Sequence, residues 1–274
     1  MAFMWGIRQN TYEIMTNIET ILNRKQHSAL LQASTDKHVL ILGGKGSIGK
    51  ALAARLTNCT VTDIEEIDVR FPFTINPDQY GKVDVVINLA GAKHAPEGEV
   101  NPLDAVQINT VGAYNAIRAA QLIGAHYVQA STCKAANPET VYGASKLIAE
   151  RMTINAGFTV ARFFNVVETQ GNVFEIWEKQ EVKEVMPGRR FFIGLQEAVG
   201  LLIKCAELLP GRYAVNPGTL QYIPTLFNRI YKGAKYIMAA LRRGDRVVEK
   251  QFSTAEELVH LHSDGLIKIK SWHD

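Results

Sequence analysis

The chain has 274 residues, 47% hydrophobic and 21% charged, with a net charge of +3. That length fits one large α/β domain, or one domain with a smaller appendage, and either buries a sizeable core. The basic residues are scattered, as in KHVLILGGKGSIGK and ALRRGDR, which argues against a nucleic-acid arm, and three dispersed cysteines without a CxxC pair point to a reducing compartment, the cytoplasm.

Residues 1–36 precede the first clear strand. Ile14, Ile18, Ile21 and Leu22 recur at helical spacing, so an N-terminal helical extension is expected there. An acid falls early in this segment and no small-residue cleavage site follows, so it does not read as a signal peptide; no apolar run reaches membrane-spanning length. HVLILGG (38–44) reads as a buried parallel strand running into a turn, and Ser47 to Leu56 as the helix after it. CTVTDIE (59–65) is the second strand and EIDVRF (66–71) a very short third. VDVVINLAG (83–91) is a strong buried strand, 103–123 a long helix, HYVQAST (126–132) a strand, 142–157 a helix and FTVARFFNV (158–166) a sixth strand.

Beyond 166 the pattern loosens. NVFEIWEKQ is a helix, 190–209 ends in a helix stopped by Pro210 and Gly211, and RYAVN (212–216) is a strand. IPTLFNRIYKGAKYIMAAL and AEELVHL (255–261) read as helices. His260 and His262 have strand spacing but no nearby third ligand, so they read as surface residues, and no metal site is expected. Strands alternating with helices imply a Rossmann-type, doubly wound parallel sheet over 37–166, with a small substrate-binding region over 167–274 that returns one strand to the sheet.

Two motifs carry chemistry. GGKGSIG places Gly43, Gly44, Gly46 and Gly49 between a strand and a helix whose first residues are Ser47 and Ile48. Side chains at these glycines would hold the backbone away from a pyrophosphate, which the helix N-terminus attracts. Asp63 ends the next strand, where a carboxylate binds ribose hydroxyls and repels a 2′-phosphate; NAD is therefore favoured over NADP. Asp68, Asn88, Ala90 and Asn109 are further cofactor-side candidates. The second motif is STCKAANPETVYGASK (131–146). Tyr142 and Lys146 share one helix face, and a lysine near a phenol favours the phenolate, which acts as a base toward a sugar hydroxyl. Lys146 also suits the nicotinamide ribose, and Ser131 or Thr132 would hydrogen-bond the same hydroxyl.

With GGKGSIG, NLAGAKHAPEGEVNPLDAVQINTVGAYN (88–115), the 131–150 segment, RFFNVVETQGNVFEIWEKQ (162–180) and RRFFIGLQEAV (189–199), the chain resembles the extended short-chain dehydrogenase/reductase family, specifically its polysaccharide-biosynthesis branch of nucleotide-sugar 4,6-dehydratases and epimerases. The resemblance implies a 4-keto sugar formed with Tyr142 as base. It implies a 4,6-dehydratase-like course on a UDP-N-acetylhexosamine, with Lys134 as the base at C5. It also implies Lys93, His94, Asn165 and Arg190 as substrate contacts, and a homo-oligomer. The branch keeps Ser-Thr-Asp-Lys where this chain has Ser131-Thr132-Cys133-Lys134, so Cys133 occupies the place of the dehydration acid. A 4-epimerase or reductase, or a catalytically impaired dinucleotide-binding relative, are the alternatives. Two further departures are the short link from the second strand to DVR (68–70) and RRGDR (242–246) in place of RPGEK.

Overall fold

The structure, a computed structural model, describes residues 19, 22–242 and 245–271. Most of the N-terminal extension, and Arg243 and Gly244 of RRGDR, lie outside the described residues. Eight strands form the central sheet: β1 (Val39–Leu42), β2 (Cys59–Thr62), β3 (Val85–Asn88), β4 (His126–Thr132), β5 (Thr159–Phe163), β6 (Gly211–Val215), β7 (Glu256–Leu261) and β8 (Leu266–Ser271). Their order is β7-β8-β6-β5-β4-β3-β1-β2. β2 through β6 are parallel; β8 runs antiparallel to β6, and β7 antiparallel to β8. The C-terminal region thus adds three strands to the sheet.

β1 and β3 are buried at every position, as apolar runs covered on both faces must be. The helices used below are α1 (Ser28–Leu31), a single turn, and the longer α2 (Ser47–Arg55), α3 (Gly112–Leu122), α4 (Val141–Asn155), α5 (Val173–Lys179), α6 (Leu195–Cys205) and α7 (Ile223–Ile230). One face of the sheet packs with Leu30, Leu52, Val199 and Leu202 of α1, α2 and α6. The other packs with Ala116, Ile117, Ala119 and Ala120 of α3. A separate aromatic core of Phe174, Trp177, Phe192, Phe227 and Tyr231 holds α5 and α7 together beside the sheet's carboxyl edge. Trp177 and Phe174 are buried there, edge to face at 5.7 Å.

Several sequence expectations change. Residues 66–71 form turns instead of a strand: Glu66 and Ile67 N–H donate to the Asp63 carbonyl, and the Asp68 carboxylate captures Arg70. β2 is the edge strand, and Ile67 and Val69 turn inward as apolar anchors. Residues 256–261 are strand β7, not a helix, because a tight Asp264-Gly265 turn folds them back on β8, with Gly265 at φ 82°. The helix read from Ile223 onward stops at Ile230, and Ile237–Met238 instead pairs with Glu184–Val185.

A buried ion network ties the late strands to α4. Arg162 on β5 donates to Glu150 on α4 at 2.6 Å and to Glu256 on β7 at 2.7 Å. Arg212 on β6 reaches Glu150 at 2.7 Å, and the Ser131 hydroxyl donates to it at 2.6 Å. The helix bearing Tyr142 and Lys146 is therefore anchored from behind by charges on three strands.

Candidate active site

The glycine turn lies at the carboxyl end of β1, where the strand order reverses between β1 and β3, the crevice in which open α/β sheets bind ligands. Gly43 sits at φ 72°, and a Cβ there would come within 2.6 Å of the Ala90 nitrogen. A Cβ on Gly49 would meet the Gly44 carbonyl at 2.3 Å, so turn and helix touch backbone to backbone. Gly46 is different: a Cβ there would face open space apart from one carbonyl at 3.8 Å. Gly46 is also the N-cap of α2 and has no side chain to satisfy the helix N–H groups. Glycines closing the turn on one side and an open, uncapped helix end on the other fit a dinucleotide pyrophosphate. Asp63 at the end of β2 accepts the Lys45 N–H at 2.9 Å, and Glu65 and Glu66 pair with the Lys45 ammonium.

The remaining cofactor-side candidates divide. Ser47 accepts the Gln170 N–H at 3.0 Å, and the Lys93 ammonium donates to the Gln170 carbonyl at 3.0 Å, so the 168–172 loop bridges the glycine turn and the 90–94 loop. Asn109 lies in a π-helical turn, Gln107–Val111, preceding α3. Its amide exchanges two bonds with the backbone of Ala92, at 3.0 and 3.1 Å, and donates to Ser145 on α4. Asn88 is turned into the sheet: it donates to Tyr127 and Gln129, and its oxygen holds the Ala90 N–H. Asp68 is taken up by Arg70, which holds its carboxyl below the usual range.

Thr140 caps α4 by accepting the Gly143 N–H, and this places Tyr142 and Lys146 on the first turns facing the end of β4. Both are buried. The Lys146 ammonium donates to the Ala130 carbonyl at 3.2 Å and lies behind Gly91, where a Cβ would meet it at 2.9 Å. Burial, opposed by Glu150, pushes its pKa down to about 8. Burial raises the Tyr142 phenol, and the Lys134 charge and the Thr132 hydroxyl pull against that rise. Lys134 is thus a charge that favours the phenolate, but the net direction is upward. Ser131 is committed to Glu150, which leaves Thr132 as the strand-end hydroxyl facing the site.

Cys133 is 1% exposed and belongs to the apolar core with Phe163, Phe164 and Phe191. Burial pushes its thiol up to about 12. Lys134 instead lines a cavity of about 700 Å³ with Lys93, His94, Asn165 and Arg190. The cavity lies between the sheet's carboxyl edge and the aromatic core of α5 and α7. One residue at this site was not foreseen. Glu249 accepts from Lys134 at 3.3 Å and from Asn165 at 2.7 Å, and lies 3.5 Å from Arg190. A glutamate 115 residues after its partner leaves no local signal. His260 and His262 stack edge to face at 4.3 Å on the exposed edge strand; no group of three metal-ligating side chains occurs among the described residues.

A glycine-cradled switch point at the end of β1 and a Tyr–Lys helix facing the end of β4 define an extended short-chain dehydrogenase/reductase fold. The chain belongs to the polysaccharide biosynthesis protein family, whose model matches residues 76–269. An uncharacterized membrane protein of Methanocaldococcus jannaschii is 32% identical over 64% of this chain and 65% of its own length. The UDP-N-acetylglucosamine 4,6-dehydratase (inverting) of Campylobacter jejuni is 26% identical over 80% of this chain and 78% of its own. The chain therefore spans just under two thirds of the first of these relatives. Among solved structures, Pen from Bacillus thuringiensis superposes with a TM-score of 0.68 at 24% identity, covering 80% of this chain and 84% of that one. The Thermus thermophilus UDP-glucose 4-epimerase complexed with NAD gives 0.64 at 18%, covering 77% and 89%. Both show the shared fold. Among the described residues no helix is long and apolar enough to cross a membrane.

Proposed function

We propose that the chain is an NAD(P)-dependent enzyme acting at C4 of a nucleotide sugar, with a UDP-N-acetylhexosamine as the substrate class. The observation behind this reading is the convergence at one sheet edge of the glycine turn, the Tyr142–Lys146 helix and a cavity whose wall carries Lys93, His94, Lys134, Asn165 and Arg190. A bound nicotinamide dinucleotide would supply the acceptor and donor of hydride at C4. Tyr142 takes the proton of the C4 hydroxyl as its phenolate, a form that the Lys134 charge and the positive ring of an oxidised dinucleotide would favour against burial; Thr132 orients that hydroxyl, and Lys146 binds the ribose of the dinucleotide. Lys93, His94, Asn165 and Arg190 face the nucleotide sugar. Asp63, with Glu65 and Glu66 beside it, favours NAD by repelling a 2′-phosphate.

The geometry favours reversible redox at C4, as in epimerisation or reduction, over loss of water. Dehydration needs an acid at C6 and a base at C5. Cys133 is a buried neutral thiol, and Glu249 holds the Lys134 ammonium. The second reading, a 4,6-dehydratase, is favoured by the Campylobacter relative and by the presence of Lys134. Incubation with UDP-N-acetylglucosamine, NMR at C4, C5 and C6, and NAD titration separate the two. A C4 epimer with the C6 hydroxyl retained supports the first reading. A 4-keto-6-deoxy product supports the second. Dinucleotide binding without turnover of any UDP-sugar would sink both.

A further inference from the structure

Three groups of the cavity wall, Lys134, Asn165 and Arg190, share one partner that does not line the cavity. Glu249 is 3% exposed. Its Oε1 accepts from the Lys134 ammonium at 3.3 Å and lies 3.5 Å from the Arg190 Nε. Its Oε2 accepts the Asn165 amide at 2.7 Å and the Phe191 N–H at 3.2 Å. The carboxylate is delivered by a clamped strap. Arg189 N–H donates to the Val247 carbonyl at 2.7 Å, and Glu249 N–H to the Arg189 carbonyl at 3.1 Å. The Arg246 guanidinium is buried and donates to the carbonyls of Ala136, at 3.0 Å, and Asn137, just past Lys134.

Two cations against one carboxylate leave a net positive charge on a wall that opens to the cavity. The charged and titratable groups acting on the Lys134 ammonium are Glu249, Cys133, Tyr142 and Arg190. Burial opposes that ammonium, but Glu249, with smaller help from Cys133 and Tyr142, outweighs it. Removing Glu249 would leave Lys134 partly buried beside Arg190 with no carboxylate partner, the setting in which a lysine gives up its proton.

We infer that Glu249 is the positioning residue of this wall: it fixes Lys134, Arg190 and Asn165 together and keeps Lys134 a cation. Lys134 then receives an anionic group of the ligand and does not act as the base at C5. This rests on the nucleotide-sugar reading for the ligand's identity, but the wall itself is testable with simpler anions.

The experiment measures dissociation constants of UDP and of inorganic pyrophosphate for the full chain and for Glu249→Gln, near pH 7 and about pH 9.5. The ligand's own ionisation is common to both proteins and cancels in the ratio of variant to parent. That ratio is expected to rise about tenfold over the interval, as the variant's Lys134 loses its charge while the parent's persists. A purely structural role moves the ratio equally at both pH values, and a flat or falling ratio overturns the inference. If Glu249→Gln does not fold, Glu249→Asp replaces it; a smaller rise in the same direction is expected, and a flat ratio is again fatal. A rising ratio with pyrophosphate but no turnover of any UDP-sugar keeps the inference and removes the enzymatic reading. Turnover with a flat ratio does the reverse, and failure of both anions to bind the parent removes the inference.

Discussion

The Arg162 guanidinium on β5 and the Glu150 carboxylate on α4 meet at 2.6 Å with neither side chain exposed. Lys146 lies one helical turn before Glu150, so this pair fixes the helix that carries the candidate chemistry. Arg162 also reaches Glu256 on β7, and Arg212 on β6 reaches Glu150. Breaking one member leaves buried charge without its counter-charge. Glu150→Gln is expected to lose about 3–5 kcal/mol in urea unfolding. A loss under about 1 kcal/mol would show the network to be idle.

The same carboxylate sets an acid limit. Arg162 and Arg212 overcome burial and hold Glu150 at about 2. Its folded value lies below its unfolded value, so its contribution is fully present above about pH 4.5 and fades as pH falls toward about 2. The gap is worth roughly 3 kcal/mol. Comparing parent and Glu150→Gln stability between about pH 6 and pH 2.5 should show the difference shrinking as the medium becomes acid.

Lys146 gives a slope of the same direction in the alkaline range, but from a charge that burial penalises instead of one that is paired. Burial lowers it to about 8 in the folded protein, so between that value and the unfolded value the unfolded chain binds more protons. Its contribution therefore becomes more favourable as pH rises through that window, by roughly 3 kcal/mol in total. Against Lys146→Met, the parent without dinucleotide should gain relative stability from about pH 8 to pH 10. A pH-independent difference would mean that the ammonium is well solvated.

Tyr142→Phe removes the hydroxyl and little else. Turnover of a UDP-sugar should fall about 10²–10⁴-fold, while dinucleotide binding, followed by fluorescence, stays within about threefold. Equal loss of both would reassign Tyr142 to packing.

The three thiols should report their burial. Cys133 and Cys205 are buried, and burial pushes the Cys133 thiol up to about 12; Cys59 is half-buried. A thiol-specific reagent should label Cys59 slowly in the native protein, with Cys133 and Cys205 appearing only on unfolding. Prompt labelling of Cys133 would place its sulfur in the cavity and reopen an acid role at C6.

Asp63 should decide between the two dinucleotides. NAD is expected to bind more tightly than NADP, and Asp63→Ser to narrow the preference by about tenfold. Its carboxylate also holds the Lys45 N–H, so affinity for both should drop together by a smaller factor. Unchanged selectivity would move discrimination to Glu65 and Glu66.

The parts legible in the chain are those written in consecutive residues. An apolar run ending in glycines, and a Tyr–Lys pair four apart behind a Ser-Thr strand end, each encode their own local geometry. Residues 255–261 show the limit of that reading. Ala, Glu and Leu are good helix formers, but pairing with β8 outweighs their propensity. The Asp264-Gly265 step was the available signal, since that dipeptide between two apolar runs marks a hairpin. Likewise the 66–71 segment has strand-like residues and an open edge beside β2, but Ile67 and Val69 turn into the core and the Asp63 turn takes up the backbone instead.

By itself the sequence determined the glycine turn, the parallel core strands and the helix of Tyr142 and Lys146, because backbone periodicity and turn chemistry act over a few residues. Only the tertiary structure decided that Lys134 faces Glu249, that Ser131 serves Glu150, and that Cys133 joins the core. A charged side chain takes the counter-charge that burial leaves nearest, and for Lys134 that partner lies 115 residues further along the chain.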